Sequence, residues 1–309
     1  MSAPQLLERV EAGGLLAGPG PLLAMLSGGR DSVCMLDLAV RARGAEEVTA
    51  LHVNYGLREG ADGDERHCEE LCGRLGVSLQ VGRPHRGGGA GNLQAWARNE
   101  RYAAAALLAE ERGATIVTGH TADDQVETIL YRLASSPSRR ALLGMRPRDG
   151  RLARPLLGTS REETTAYCEE RGLAWRDDAT NEEGDYKRNL LRRELLPVLE
   201  RIHPAAKANV LRTAALLREE AELLDSLVEA ELGPGRGTIP HRRFAELHPA
   251  LRRLVLQRLA DEAAGRPVPG AARFADQVAA LSRGGSTLDL GSGVRAVLEG
   301  GILRARLYI

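Results

Sequence analysis

The hexapeptide Ser27-Gly28-Gly29-Arg30-Asp31-Ser32 sets two glycines, two hydroxyls and a carboxylate between an apolar run, Leu22 to Leu26, and a helical pattern that starts at Asp31. Such a loop aims backbone N–H groups and the positive end of the helix dipole at one point, which suits an anion such as phosphate. The plainer reading is a glycine turn in which Ser27 or Asp31 caps the helix. No GKS or GKT closes the loop and no GxGxxG follows the first strand, which argues against a Walker-type site and a dinucleotide fold of the usual sort. A second set of groups lies in Thr118-Gly119-His120-Thr121-Ala122-Asp123-Asp124-Gln125-Val126-Glu127-Thr128. Asp124 and Glu127 are three apart and share a helix face, where a carboxylate pair can hold an ammonium or a metal ion. A solvated helix start capped by Thr121 or Asp123 is the alternative.

The elements that must position these groups alternate. Strands are expected at Leu22 to Leu26, Val48 to Asn54, Ser78 to Gly82 and Thr115 to Gly119. Helices are expected at Asp31 to about Arg43, Asp62 to Leu75, Leu93 to Arg112 and from Asp123. Strands alternating with helices of this length imply right-handed crossovers and an α/β fold with a doubly wound parallel sheet. Ligands bind such sheets beyond the carboxyl ends of the strands, where these motifs fall. From about Pro197 the alternation stops. Helical stretches follow at Ala205 to Leu232, Pro240 to Ala264 and Arg273 to Ser282. Short strands with glycine turns come last, at Thr287 to Leu290, Val294 to Leu298 and Ile302 to Ile309. This predicts a catalytic domain over 1–200 and a smaller, mostly helical domain ending in short strands over 201–309.

The motifs, in order, resemble a known family. SGGxDS after the first strand is the signature of the PP-loop ATP pyrophosphatases, which split ATP between its α- and β-phosphates. His52-Val53-Asn54-Tyr55-Gly56-Leu57-Arg58 is similar to the HVNHGLR segment of the tRNA(Ile)-lysidine synthetases, with Tyr55 in place of the usual His. Ala97-Arg98-Asn99-Glu100-Arg101-Tyr102 resembles ARxxRY, and the segment around Gly119 and His120 resembles GHxxDDQxET. Arg154-Pro155-Leu156-Leu157 matches RPLL. Asp178-Ala179-Thr180-Asn181 followed by Tyr186-Lys187-Arg188-Asn189, Arg192 and Leu195-Leu196-Pro197 resembles DxTN…YxRNxxRxxLLP. The likeness covers residues 22 to 200. It departs at Arg132 to Met145, where the family usually carries a glycine-rich RGSGxxGLxGM loop and this chain has Ser135-Ser136-Pro137-Ser138.

The resemblance implies that Ser27, Gly28, Gly29, Arg30 and Ser32 hold the pyrophosphate of ATP and that Asp31 helps place Mg²⁺. It further implies that His52, Val53 and Asn54, with Gly119 and His120, line the nucleotide. Arg98 and Arg101, a turn apart, both face the nucleotide on this reading. Asp124 and Glu127 are expected to hold and deprotonate lysine. Arg98 or Arg101, with Arg188, would neutralise the leaving phosphate, and Arg192 is the second choice after Arg188. The implied reaction adenylates the wobble cytidine of tRNA(Ile) with a CAU anticodon and joins free L-lysine to its carbon 2. The alternative within the superfamily is a 2-thiocytidine synthetase with an iron-sulfur cluster. Cys34, Cys68, Cys72 and Cys168 form no CxxC pair and read as reduced, partly buried thiols.

Composition fits without deciding. At 309 residues with 43% hydrophobic and 27% charged side chains, the chain can bury two cores. Its formal net charge is zero, yet Arg132 to Arg154 holds seven arginines against one acid, and Pro240 to the end eleven against six. An RNA partner wants such basic stretches. Aromatics at 3% exclude a broad base-stacking platform. No apolar run approaches the roughly 20 residues of a membrane helix, and no signal pattern opens the chain, so a cytoplasmic protein is expected. The short tail suits family members without a second C-terminal domain. Nothing in the sequence marks an oligomeric state, and a homodimer is left open.

Overall fold

A computed structural model describes residues 1–57, 60–86, 92–136, 139–176, 186–233, 237–282 and 284–308, without the side chains of residues 139, 140 and 186. The family-like segments at Arg58 and at Asp178 to Asn181, and Pro137 and Ser138 of the altered loop, lie outside these residues. Two compact units result, Met1–Ala215 and Leu216–Ile309.

In the first unit a six-stranded sheet has the order β3-β2-β1-β4-β6-β5, where β1 is Leu22–Met25, β2 Val48–Val53, β3 Ser78–Gly82, β4 Thr115–Val117, β5 Arg148–Asp149 and β6 Leu152–Ala153. All pairings are parallel except β5 with β6. The central strand is buried along its whole length because both faces are covered. Its alternate residues go opposite ways. Leu22 and Ala24 join a core with α1 (Ala3–Ala12), α2 (Arg30–Arg43), α3 (Ala61–Leu75) and α7 (Arg161–Glu170). Leu23 and Met25 pack against Ala105 and Ala109 of α4 (Leu93–Arg112). Two further helices, α5 (Ala122–Ser135) and α6 (Arg139–Leu142), precede β5. After α7 come α8 (Tyr186–Leu190), a π-helical turn (Leu191–Leu195) and α9 (Leu196–Ile202). Val126 and Leu130 of α5 pack on Leu191 and Leu196.

The doubly wound parallel sheet is as expected, with a small antiparallel edge that sequence did not signal. Two-residue strands such as β5 and β6 are too short to carry a period-2 pattern. Helices α1 and α7 are additional to those expected. The face of α7 that turns inward carries Arg161, Thr164, Tyr167 and Cys168, which does not read as an apolar stripe.

The second unit holds residues 216–232 of α10 (Ala206–Leu232), α11 (His241–Glu246), α12 (Pro249–Ala264), α13 (Ala275–Ala279) and an antiparallel sheet of order β7-β10-β9-β8. Strand β7 is Thr238–Pro240, β8 Ser286–Gly291, β9 Val294–Glu299 and β10 Ile302–Leu307. Its core gathers Phe244, Ile239, Leu256, Val294 and Leu303. The helical stretch expected over Pro240 to Ala264 consists of two helices, broken where Leu247 and His248 are extended ahead of Pro249. Proline disfavours helical backbone in the residue before it. The stretch at Arg273 to Ser282 is a 3₁₀ turn (Ala271–Phe274) running into α13.

Candidate active site

The loop after β1 is built from backbone and hydroxyls. Gly28 has φ 83°, and a Cβ there would stand 3.4 Å from both Cys68 Sγ and the His67 ring. Gly29 occupies the N-cap position of α2 with no side-chain hydrogen bond to the helix, so neither Ser27 nor Asp31 caps it. The Ser32 hydroxyl donates to Gly29 O at 2.7 Å and lies 3.0 Å from Ser27 Oγ, which pins the turn from inside. From outside, the N–H of Arg176 donates to Gly28 O at 3.0 Å. The segment after β4 presses on the same loop: a Cβ at Gly119 would lie 2.6 Å from Asp31 O and 2.9 Å from Ser32 N. Only glycine fits there. His120 follows, its Nδ1 2.7 Å from Thr118 Oγ1. Burial, reinforced by Arg154, Arg101 and Arg98 nearby, pushes its pKa down to about 4, so it is neutral at pH 7.

A charged cluster adjoins the loop. Thr121 caps α5 and shares a capping box with Asp124, whose Oδ2 accepts from Thr121 N at 2.9 Å and from its hydroxyl at 3.1 Å. Asp123 has another job: it accepts from the N–H of Arg161 at 2.9 Å and pairs with Lys207 at 3.1 Å. Burial opposes its ionisation, but these partners hold its pKa below the ordinary carboxylate value. Arg161, the first residue of α7, spans the remaining acids. Its Nη2 reaches Asp124 Oδ1 at 2.5 Å, its Nη1 Glu127 Oε1 at 2.9 Å and its Nε Asp31 Oδ2 at 3.8 Å. Burial works against that charge, yet the surrounding carboxylates raise its pKa. Arg192, in the π turn, grips Glu127 through two bonds of 2.8 and 3.0 Å. Asp31 also accepts from Thr164 at 2.5 Å and from Arg30 at 3.2 Å. Its burial nevertheless keeps its pKa above the usual value.

Asp31, Asp124 and Glu127 are thus gathered within reach of one guanidinium that is not among the expected site residues. Arg161 sits just after Ser160 in an ordinary capping pattern, and that local signal hid its long-range role. Glu127 side-chain exposure is only 2%, with both oxygens taken by arginines, so it meets a free ammonium only if an arginine moves. Asp124 and Arg161 are each 22% exposed. His52 is tied through Nδ1 to Leu26 O at 3.0 Å, beside Cys68. Asn54 donates to Glu65 at 2.8 Å and Asp62 at 3.1 Å, bracing α3. Val53 lines an open groove of about 390 Å³ with Gly82, Arg83, Glu100 and Leu107. Tyr55 donates to Ala97 O at 2.8 Å and meets Trp96 edge-on, fixing the start of α4. Arg98 and Arg101 flank the Tyr102 ring at 5.0 and 5.7 Å and have no carboxylate partner among the described residues. Arg188 stands near Arg132, whose pKa falls through burial and the neighbouring positive charge of Arg188 and Arg98. All four cysteines are free and buried.

Comparison with known proteins places the chain in a family. A family model described as a PP-loop domain matches residues 7–199. The chain belongs to the PP-loop family. It is 40% identical over 277 residues to a tRNA(Ile)-lysidine synthase of Thermus thermophilus, covering 86% of this chain and 53% of that protein. It is 41% identical over 214 residues to the synthase of Pseudomonas aeruginosa, covering 67% and 48%. The chain spans about half the length of these relatives. Among solved structures, the U34-tRNA thiolase NcsA from Methanococcus maripaludis shares the PP-loop fold with a TM-score of 0.60 at 17% identity, over 70% of this chain and 78% of that one. Among the described residues of this PP-loop chain no helix is long and apolar enough to cross a membrane.

The arginines of the C-terminal unit are partly committed. Arg242, Arg243, Arg252, Arg258, Arg304 and Arg306 each pair with a carboxylate of their own unit. Arg295 instead lies 3.7 Å over the Tyr308 ring.

Proposed function

We propose that this chain ligates free lysine to carbon 2 of the wobble cytidine of tRNA(Ile) with a CAU anticodon, consuming ATP. The observation that carries the reading is the junction of two half-sites: a PP-loop in backbone contact with Gly119, and Asp31 linked through Arg161 to Asp124 and Glu127. The likeness to synthases so named supports the same chemistry.

Cytosine oxygen 2 is too poor a leaving group to depart as hydroxide. In the first step it attacks the α-phosphorus of ATP, and the bond to pyrophosphate breaks. The turn at Ser27 to Ser32 offers the N–H groups at the start of α2 to the departing pyrophosphate. Asp31 fits Mg²⁺: a single carboxylate beside a phosphate-binding loop is the donor set that ion uses with nucleotides, where it supplies charge neutralisation. In the second step the ε-ammonium of lysine gives its proton to solvent, and the neutral amine bonds to carbon 2 as AMP leaves with oxygen 2. Arg98 and Arg101, unpaired with any described acid, are assigned to the AMP phosphate, with Arg188 beside them. Asp124 is assigned to the lysine. Glu127 orients Arg161 and Arg192 behind it. In the C-terminal unit Arg253, Arg266, Arg273 and Arg295, outside ion pairs among the described residues, are assigned to tRNA phosphates.

The test is incubation with ATP, Mg²⁺, labelled lysine and an unmodified isoleucine tRNA bearing CAU, with an elongator methionine tRNA as control. Incorporation into the isoleucine tRNA alone, abolished by Asp31→Ala, is the expected result. Pyrophosphate release without lysine transfer would keep the ATP chemistry and sink lysine as the nucleophile.

A further inference from the structure

Two arginines left unassigned above share one short stretch of backbone. Arg132 Nη1 donates to Gly144 O at 2.7 Å, and Arg154 Nη1 donates to Arg146 O at 2.7 Å. The two carbonyls are two residues apart, so at most roughly 7 Å of chain separates the anchors of the two guanidiniums. Gln125 holds that stretch in place, its side-chain amide accepting from Met145 N at 2.7 Å and donating to Met145 O at 2.9 Å. A carbonyl orients a guanidinium but does not cancel its charge. Neither Arg132 nor Arg154 forms an ion pair among the described residues. Arg154 is only 8% exposed, and its Nε is buried without a hydrogen-bond partner, as is that of Arg101. Burial, with the charges of Arg98 and Arg132, lowers the pKa of Arg154 despite Tyr102 and Asp149 nearby. A cation buried among cations is costly until an anion joins it.

We propose that Arg132 and Arg154 form a subsite for a phosphodiester of the RNA backbone beside the target cytidine, separate from the arginines assigned to AMP. The inference rests on the tRNA-ligating reading above and says how the turned-out nucleotide is held by its backbone. Phosphate oxygens suit guanidinium forks, and both ATP and RNA could supply them. The phosphates of ATP already have the loop at Ser27 to Ser32 and the pair Arg98 and Arg101. RNA backbone, in contrast, wants a basic track that leads inward from the surface. Such a track is present: Arg146, whose carbonyl Arg154 holds, is exposed, Arg132 is half-buried and Arg154 is buried. A nucleotide that leaves its stack rotates about its backbone, so the linkages beside it move toward the pocket with it. The Gln125 contacts fix the spacing of the two guanidiniums before RNA arrives, and their repulsion is relieved only on binding.

Fluorescence anisotropy of a labelled CAU anticodon stem-loop, without lysine, gives the Kd of the full chain for RNA. A neutral methylphosphonate replaces one linkage at a time, on the 5′ or the 3′ side of the target cytidine. For wild type, one of the two replacements should raise Kd about tenfold, the size of one lost charge-assisted contact. Arg154→Met should raise Kd for the unmodified RNA about tenfold and lower the salt slope by about 0.7. The variant should also be blind to the replacement that harms wild type, because the two partners of one contact cannot be lost twice. Since the change removes an unpaired buried cation, its Tm should be no lower than that of wild type. Arg132→Met supplies the same crossed comparison should Arg154→Met fail to fold, and Kd for ATP should stay within about twofold in both. Additive losses would overturn the proposal, as would weakened ATP binding with RNA binding intact, which would make ATP the ligand. Lysine transfer to the isoleucine tRNA is measured alongside. Transfer without the crossed pattern defeats this subsite alone, whereas the crossed pattern without transfer upholds the subsite and sinks the ligase reading.

Discussion

The phosphate loop and the charged cluster touch at Asp31 but are held together by opposite means. The loop depends on missing atoms: glycine at 28 and 119 lets backbone approach backbone, and the hydroxyl bonds that pin the turn from inside run between residues at most a few positions apart. The cluster depends on long side chains that bring distant elements together, with Arg161 and Arg192 reaching Glu127 across 34 and 65 residues of sequence. The loop should therefore be intolerant of volume and the cluster intolerant of lost charge.

Substitutions that change one property at a time test that contrast. The largest effect on stability is expected from Glu127→Gln, which keeps the shape and removes the buried charge that Arg192 and Arg161 share. A loss of about 3 kcal/mol in urea unfolding follows, and a change under about 1 kcal/mol would break the comparison. Gly119→Ala adds one methyl against Asp31 O, where backbone must give way. It should cost about 2 kcal/mol and abolish tRNA-dependent pyrophosphate release. Asp123→Asn should cost about 1 kcal/mol at pH 7 by weakening the Lys207 and Arg161 contacts. The folded pKa of Asp123 lies below its unfolded value near 3.8, so this stabilisation is complete above that value and is lost as pH falls through the folded one. The gap between variant and wild type should close over that acidic window. Arg243→Ala in the C-terminal unit removes an exposed pair with Glu231 and should leave Tm within about 1 °C, setting the floor against which the buried pairs are judged.

The same contrast explains what could be read in advance. Ser27 to Ser32, Gly119 and the helix Leu93 to Arg112 announce themselves locally, because glycine placement and helix periodicity are properties of neighbouring residues. The parallel strands likewise follow from short apolar runs. Arg161 does not, since nothing within its own turn distinguishes it from any arginine on a capped helix. The carboxylates at 124 and 127 were legible as a pair, but not that one would be sealed beneath two arginines, which only the packing of α7 and the π turn decides. The packing also gives Asn54 contacts to Asp62 and Glu65, and Tyr55 one to the backbone of α4, which no local pattern announces.

The π turn at Leu191–Leu195, closed by the N–H of Leu196 on Leu191 O, carries one residue more than an α-helical turn would need. That extra residue makes this stretch a phase shifter. Deleting any single position within it would let α8 and α9 fuse into one regular helix, and everything on the N-terminal side, Arg188 included, would swing by about 100° around the helix axis. Length, more than identity, is what this segment cannot change. A family alignment should therefore find its side chains freer to vary than its residue count, with gaps accumulating elsewhere.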